Sequence, residues 1–176
     1  MSNETSVLSD TAPLDLRLSD AELEATHDHV TTFIRETVDA AGADGAVLGL
    51  SGGIDSTLTA YLAVDALGED GLHGLVMPSE VNTEGNMSDA ERVAHDLDIE
   101  YDVVEINPIV ESFFDVYPEG ESDQMAAGNV RVRARGVLNY FVANHENRLV
   151  LGTGNRSEAL TGYFTKYGDQ AVDCNP

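Results

Sequence analysis

The chain has 176 residues, of which 42% are hydrophobic, so it can build one core but has little room for two domains. It carries 32 Asp and Glu residues against 9 Lys and Arg, a formal net charge of −23 that is spread along the whole chain. Such a surface repels phosphate backbones and anionic lipids, which argues against a nucleic-acid or membrane partner. The charge indicates either a merely acidic protein or one adapted to high salt, where screening relieves self-repulsion, and we favour the second interpretation.

The cysteine count and the N-terminus indicate the compartment. Cys174 is the only cysteine, which excludes a disulfide framework and a cysteine metal cluster. The first residues are polar and acidic and lack the basic and apolar regions of a signal peptide, and the longest apolar runs are far shorter than a membrane span. We therefore expect a protein of the reducing cytoplasm.

The first half of the chain alternates helical and strand patterns. Residues 1–18 show no period and are predicted to form an arm, followed by one domain over 19–176. Ser19 and Glu22 have capping-box spacing, and a helix is predicted from there to Gly42. The segments that follow are a strand at 47–50, a helix over 58–67 with Leu58, Tyr61, Leu62 and Leu67 on its apolar face, a strand at 72–77 and a short helix at 89–97.

The second half continues the alternation. A strand is predicted at 100–106, a loop at 117–128, a helix at 129–143 and a fourth strand at 149–151. Strands that alternate with helices favour an α/β fold, a doubly wound parallel sheet with helices on both faces.

The segment 50–56, Leu-Ser-Gly-Gly-Ile-Asp-Ser, joins the first strand to the next helix. Two glycines let the backbone approach a ligand closely, and a helix N-terminus presents free N–H groups and a positive dipole end. The lysine of a Walker-A loop is missing, which excludes that site. The segment is either a glycine turn with a serine cap or a phosphate cradle in which Ser51 and Ser56 add donors and Asp55 holds Mg²⁺.

The segment 128–135 contains three of the nine cations. On a helix, the predicted apolar face consists of Val130, Ala134, Val137, Leu138 and Phe141. Arg131 and Arg135 lie on one flank of this face. Asn129 and Arg133 lie together on the other flank. The arginines form either salt bridges with the abundant acids or an anion site that uses bidentate contacts.

Two further segments lie near the end of the chain. Gly-Thr-Gly-Asn-Arg-Ser-Glu at 152–158 follows the last strand, and Glu158 falls in the first turn of a helix. It is either an acid that stabilises the helix dipole or a second Mg²⁺ ligand beside Asp55, because the ends of parallel strands converge on one crevice. Residues 161–173 mix aromatics, glycines, one lysine and two aspartates without a period, which is typical of a functional loop.

In this order, these four segments resemble the ammonia-dependent NAD⁺ synthetases of the PP-loop ATP pyrophosphatase group. The Ser-Gly-Gly-Ile-Asp-Ser loop at 51–56 is shared across that group, whereas the stretch from Gly152 to Asp169, with Gly-Tyr-Phe-Thr-Lys-Tyr-Gly-Asp at its end, is specific to the synthetases. The resemblance covers about residues 14–176 and implies an adenine nucleotide alpha hydrolase-like, Rossmann-like fold. It also implies a homodimer.

The resemblance further implies a reaction and its residues. The nicotinate carboxylate of deamido-NAD⁺ would attack ATP to give an adenylate and pyrophosphate, and ammonia would then displace AMP. Asp55 and Glu158 would ligate Mg²⁺, and Thr153 would contact ATP. Deamido-NAD⁺ would be contacted by Arg133, Lys166 and Asp173; the catalytic loop residues would be Lys166, Asp169 and Asp173. The ATP phosphates would be held by Gly49, Leu50, Ser51, Gly52, Gly53, Ile54, Asp55 and Ser56.

The chain departs from the family pattern at three points. Gln170 replaces a common glycine, Arg131 replaces a usual lysine, and the chain stops at Pro176 where the family continues, which indicates a fragment or a truncated product. Two other functions therefore remain open: another PP-loop ATP pyrophosphatase, and a truncated paralogue that only binds nucleotide. The negative charge argues against tRNA as a substrate.

Overall fold

A computed structural model of the chain describes residues 17–79 and 88–176. The strands of these two ranges form one parallel sheet with the order β3-β2-β1-β4, where β1 is Ala46–Leu50, β2 Leu72–Val76, β3 Glu100–Val103 and β4 Leu149–Leu151. Ala46 pairs with Leu72 on one side and with Leu149 on the other. The predicted arm, apart from its last two residues, lies outside the described residues.

Helices cover both faces of the sheet, which confirms the predicted doubly wound α/β fold. The helices of the described ranges are α1 Asp20–Ala41, α2 Ile54–Leu67, α3 Asp89–Asp96, α4 Asn107–Val116, α5 Gln124–Glu146 and α6 Arg156–Thr161. On one face, α1, α2 and α3 pack on Leu48 and Val76; on the other, α4 and α5 pack on Val47 and Leu75. None of these helices combines the length and the apolar character needed to cross a membrane.

The boundaries of α1 follow from local chemistry that the sequence predicts. The Ser19 N–H donates to Glu22 Oε2 at 2.8 Å and the Glu22 N–H donates to Ser19 Oγ at 3.4 Å, which completes the capping box. Gly42 ends the helix in a left-handed conformation. Ile34 and Val38, one turn apart, are buried, so this side of the helix packs against the core.

The predicted apolar face of α2 is confirmed only in part: Leu62 and Leu67 pack partly buried against the core, whereas Leu58 and Tyr61 are exposed. The helix begins at Ile54, and its fully buried side chains Ala60 and Ala63 are small. Leu58, predicted to be buried, is 58% exposed. Small side chains let the helix approach the sheet closely, while Leu58 and Tyr61 lie on its outer side.

Three predictions between β3 and β4 also need correction. The strand predicted to reach 106 ends at Val103, and Ile106 instead caps α4, a helix that the sequence interpretation missed. The predicted loop 117–128 ends early, because Asp123 caps α5 by accepting the N–H groups of the next turn. In α5, Ala134 is buried as predicted, but Val137 and Phe141 are about 70% exposed.

Candidate active site

The candidate site lies where the chain reverses direction across the sheet. After β1 the connections lead outward to β2 and β3, whereas β4 pairs with the opposite side of β1. The loops that follow β1 and β4 therefore lie side by side at the carboxyl ends of the strands. This is the crevice in which doubly wound sheets bind their ligands.

The loop after β1 is braced from within by Ser56. This side chain is buried; its Oγ donates to the Gly53 carbonyl at 3.1 Å and lies 2.9 Å from Ser51 Oγ. Gly53 is the N-cap of α2 and offers no side chain to the first turn. Of the two predicted serine donors, Ser51 is exposed, whereas Ser56 shapes the loop. The backbone N–H groups in the first turn of α2 can donate hydrogen bonds to an anion.

A small pocket of about 120 Å³ joins this loop to the one after β4. Its acids are Asp55, Glu158 and Asp169, so the structure brings the two predicted Mg²⁺ ligands and one predicted loop residue to the same pocket. The remaining lining is Ser51, Gly53, Ser56, Thr153 and Gly154. Three carboxylates attract a cation and the helix N-terminus attracts an anion, so the pocket can hold a cation and an anion together.

Both interpretations of Glu158 are compatible with its position. Its Oε2 accepts the Asn155 N–H at 3.1 Å, and its own N–H donates to Asn155 Oδ1 at 2.9 Å, which forms a capping box at the start of α6. The cap confirms the interpretation of a helix-start acid. The same bonds fix the carboxylate at the pocket wall, where its role as a metal ligand stays a prediction.

A cavity of about 850 Å³ opens beside the small pocket. One wall is mostly apolar and comes from β2, β3 and α3, with Met77 and Ala90 among its residues; the opposite wall comes from α5. Ser51, Thr153 and Asp169 line both spaces. One extended ligand can therefore occupy the cavity with its bulky part and the small pocket with its charged part.

The α5 wall of the cavity includes Arg135, one of the three arginines of the anion-site interpretation, and Asn139, which the sequence interpretation missed. Arg135 lines the cavity, and its Nε donates to the Met77 carbonyl at 3.0 Å. Burial, and then the charge of Arg131, lower the pKa of Arg135. Asn139, one turn further along, also lines the cavity. Gly136, a small residue inside a helix, was the available signal for a close approach on this face.

The other flank of α5 contacts the loop that carries Lys166. The Arg133 guanidinium donates two hydrogen bonds to the Lys166 carbonyl, and Thr165 Oγ1 donates to Asn129 Oδ1. Lys166 itself is exposed, with Nζ 5.0 Å from the centroid of the Tyr167 ring. In residues 17–79 and 88–176 no ion pair joins an acid to Arg131, Arg133 or Arg135, so the salt-bridge alternative has no support there.

Asp173 is not among the residues that line the two cavities, and its hydrogen bonds join other parts of the fold. Its Oδ1 accepts the Tyr140 hydroxyl at 3.0 Å, and its Oδ2 accepts the Val150 N–H at 2.9 Å. Burial, and then the bond to Asp173, raise the pKa of Tyr140 to about 12. Asp173 thus ties α5 to β4, and its contact with a substrate stays a prediction.

The family assignment follows from comparison with known proteins. The model of the family described as NAD synthase matches residues 26–176, which include every residue that lines the two spaces. The chain belongs to the NAD synthase family. The NH(3)-dependent NAD(+) synthetase of Halobacterium salinarum is 66% identical to it over 165 residues, which is 94% of this chain and 62% of that protein.

Solved structures of this family share the fold. The NH3-dependent NAD synthetase of Campylobacter jejuni superposes with a TM-score of 0.81 at 39% identity, covering 87% of this chain and 66% of that one. An NMN synthetase from Francisella tularensis superposes with a TM-score of 0.78 at 35% identity, covering 87% and 63%. The chain spans about three fifths of the length of the curated relatives it matches.

Proposed function

We propose that this NAD synthase family member amidates deamido-NAD⁺ with ammonia, at the expense of ATP, to give NAD⁺, AMP and pyrophosphate. The observation that carries the proposal is the rim shared by the two spaces, Ser51, Thr153 and Asp169. A nucleoside in the larger cavity would extend its phosphates across this rim to the N-terminus of α2. The carboxylate of the second substrate would reach the same rim.

The residues present fit a bound Mg²⁺. Mg²⁺ is held in such sites by one or two carboxylates together with substrate phosphates. Asp55 and Glu158 supply two carboxylates, and in the part of the chain that the structure describes no cluster of three acids or histidines forms a complete metal cage by itself. When bound, Mg²⁺ would neutralise charge on the phosphates, which lets Asp55 stand beside them.

The chain's own residues would act by position and charge. The N–H groups of α2 would bind phosphate oxygens, and Thr153 would contact ATP at the rim. A nicotinate oxygen attacks the α-phosphorus while the bond to the bridging oxygen of pyrophosphate breaks. Ammonia then attacks the activated carbonyl, AMP leaves with the electron pair, and the nitrogen loses a proton. Lys166, Asp169, Arg133 and Asp173 stay predicted contacts in these steps, where charge stabilisation dominates.

The test is AMP release that depends on both acid substrate and ammonia. We expect the protein to release AMP when ATP, Mg²⁺, deamido-NAD⁺ and ammonium are all present. No AMP should be released when any of these is omitted or when glutamine replaces ammonium. Asp55→Ala and Glu158→Ala should abolish adenylate formation more than they weaken deamido-NAD⁺ binding. Glu158→Gln is the matched variant, because it removes the charge and keeps an amide oxygen for the Asn155 N–H.

Three outcomes would replace the proposal. ATP binding without turnover would favour a nucleotide-binding paralogue. Turnover with nicotinate mononucleotide in preference to deamido-NAD⁺ would favour an NMN synthetase, the activity named for the Francisella relative. AMP release in the absence of both deamido-NAD⁺ and nicotinate mononucleotide would indicate another PP-loop pyrophosphatase.

We also propose a cytoplasmic homodimer. The exposed apolar residues Val137 and Phe141 lie one turn apart on α5, and Phe113 on α4 is 56% exposed. These side chains could be covered by a second copy. Sedimentation in molar salt tests the dimer, and Phe141→Asp should shift the protein to a monomer.

A further inference from the structure

The loop of residues 165–169 is fastened to α5 at two points. Arg133 Nε and Nη2 donate to the Lys166 carbonyl oxygen at 3.2 and 3.1 Å. One turn earlier on the same flank, Asn129 Oδ1 accepts the Thr165 hydroxyl at 3.0 Å. The bonds join protein groups alone, and together they hold the loop backbone on both sides of Lys166.

The space between these fastenings is closely packed. A Cβ added to Gly168 would lie 2.7 Å from Val132 Cγ1, so the loop backbone lies directly on the helix surface. The Gly168 N–H donates to the Thr165 carbonyl at 2.9 Å, which closes the turn. Tyr167 within this turn has a φ of 58°, a conformation that non-glycine residues rarely adopt. Such a residue persists when its surroundings fix it.

The fastened turn sets the position of two predicted catalytic groups. Lys166 lies directly at the Arg133 contact, and its ammonium stands over the Tyr167 ring. Asp169 Oδ1 accepts the Thr165 N–H at 2.7 Å, and Asp169 lies on the rim shared by the two spaces. A shift of the turn would move the lysine and the aspartate together.

We infer that Arg133 is a positioning residue that fixes the Lys166–Asp169 turn through its fork on the Lys166 carbonyl. An arginine suits this role because its planar guanidinium offers two parallel donors, which a lysine ammonium does not. The catalytic consequence of the inference rests on the proposed function, whereas the fastening itself does not. The two can therefore be tested separately.

The chain contains a single lysine, so a lysine-specific protease can cut it only after residue 166. Cleavage requires the turn to leave α5, and its rate follows the population of the open form when closing is fast. We expect Arg133→Gln to raise the cleavage rate in the absence of substrate by about 5- to 30-fold, the population change that two lost hydrogen bonds produce.

Arg131→Gln is the matched control, because it removes the same charge from the opposite flank of α5. Its cleavage rate should equal that of the unmodified chain. Asn129→Ala should raise the rate independently, which tests the turn if Arg133→Gln does not fold. Unchanged cleavage in folded Arg133→Gln, or an equal rise in Arg131→Gln, would overturn the inference. Neither result would depend on whether the chain has synthetase activity.

The second arm measures catalysis. Arg133→Gln should lower kcat with little change in KM for ATP, and its further effect should be smaller in a Lys166→Gln background, because the turn then positions Asp169 but no ammonium. Independent, multiplicative losses would show that Arg133 acts by itself, as a direct substrate contact would. Loss of turnover in every variant, with the protease result intact, would count against the proposed function only.

Discussion

Gly52 offers the sharpest test of how the loop after β1 is built. Its φ is +74°, and a Cβ placed there would lie 2.6 Å from Asp89 Cβ and 2.9 Å from the Ala90 nitrogen at the start of α3. Neither neighbouring atom can rotate away cheaply. We expect Gly52→Ala to lose about 1–2 kcal/mol for the left-handed conformation and about 1–3 kcal/mol for the overlap, about 2–5 kcal/mol in all.

Gly42→Ala separates these two terms. Gly42 has nearly the same φ, +67°, and nothing lies within 4 Å of its added Cβ, so this variant should lose only the conformational part, about 1–2 kcal/mol. The assay is thermal unfolding of both variants at one molar salt concentration, where 1 kcal/mol corresponds to about 2–4 °C for a chain of this size. ATP affinity, measured by calorimetry, should fall in Gly52→Ala alone. Equal losses of stability, or unchanged ATP affinity in Gly52→Ala, would refute this account of the loop.

Three further predictions concern pH and salt. Burial, and then Asp173, raise the pKa of Tyr140 to about 12, so the contribution of Tyr140 to stability should be complete below about pH 10 and lost as the pH rises through about 12. Tyr140→Phe should make the free energy of unfolding less dependent on pH between these values. An unchanged pH profile would contradict the raised pKa of Tyr140. The bonds to Asp65 and then Asp28 raise the pKa of His27. The contribution of His27 to the free energy of unfolding should therefore be complete below about pH 6.5 and be lost as the pH rises through the pKa of His27 in the folded protein. In an NMR titration, Asp65→Asn should shift the pKa of His27 downward. The melting temperature should rise as the salt concentration increases to about 1 M, because a Debye length of about 3 Å screens the repulsion between surface acids. A melting temperature that does not change with salt would favour the interpretation of a merely acidic protein.

The sheet and the ligand loops could be predicted from the sequence because their signals are local. The strands are short apolar runs, and the loop after β1 combines glycines with a strand-to-helix junction, so each feature is visible within a few residues. The same holds for the cap at Ser19. The position of Glu158 beside Asp55 required only one further step, that parallel strand ends share a crevice.

The helix faces could not be predicted as well, because apolar periodicity gives weight to large side chains. In α2 the core is approached by Ala60 and Ala63, and in α5 by Ala134 and Ala143, while Phe141 lies outside. Contact partners of polar residues depend on distant segments in the same way. Nothing local in the sequence indicates that Arg133 reaches the Lys166 carbonyl, or that Asp173 bonds to Tyr140.

The pairing of β1 with β4 also constrains how the molecule can form. Ala46 meets Leu149 across an intervening stretch on the order of a hundred residues, whereas β2 joins β1 after a single helical crossover. Closing so long a loop costs entropy before it yields contacts, which makes this pairing a slow step relative to the local ones. The loop after β1 is thus synthesised well before the loop after β4, which forms the opposite wall of the small pocket. During refolding, nucleotide affinity should therefore emerge later than helical circular dichroism, so a fluorescent ATP analogue would time the arrival of β4.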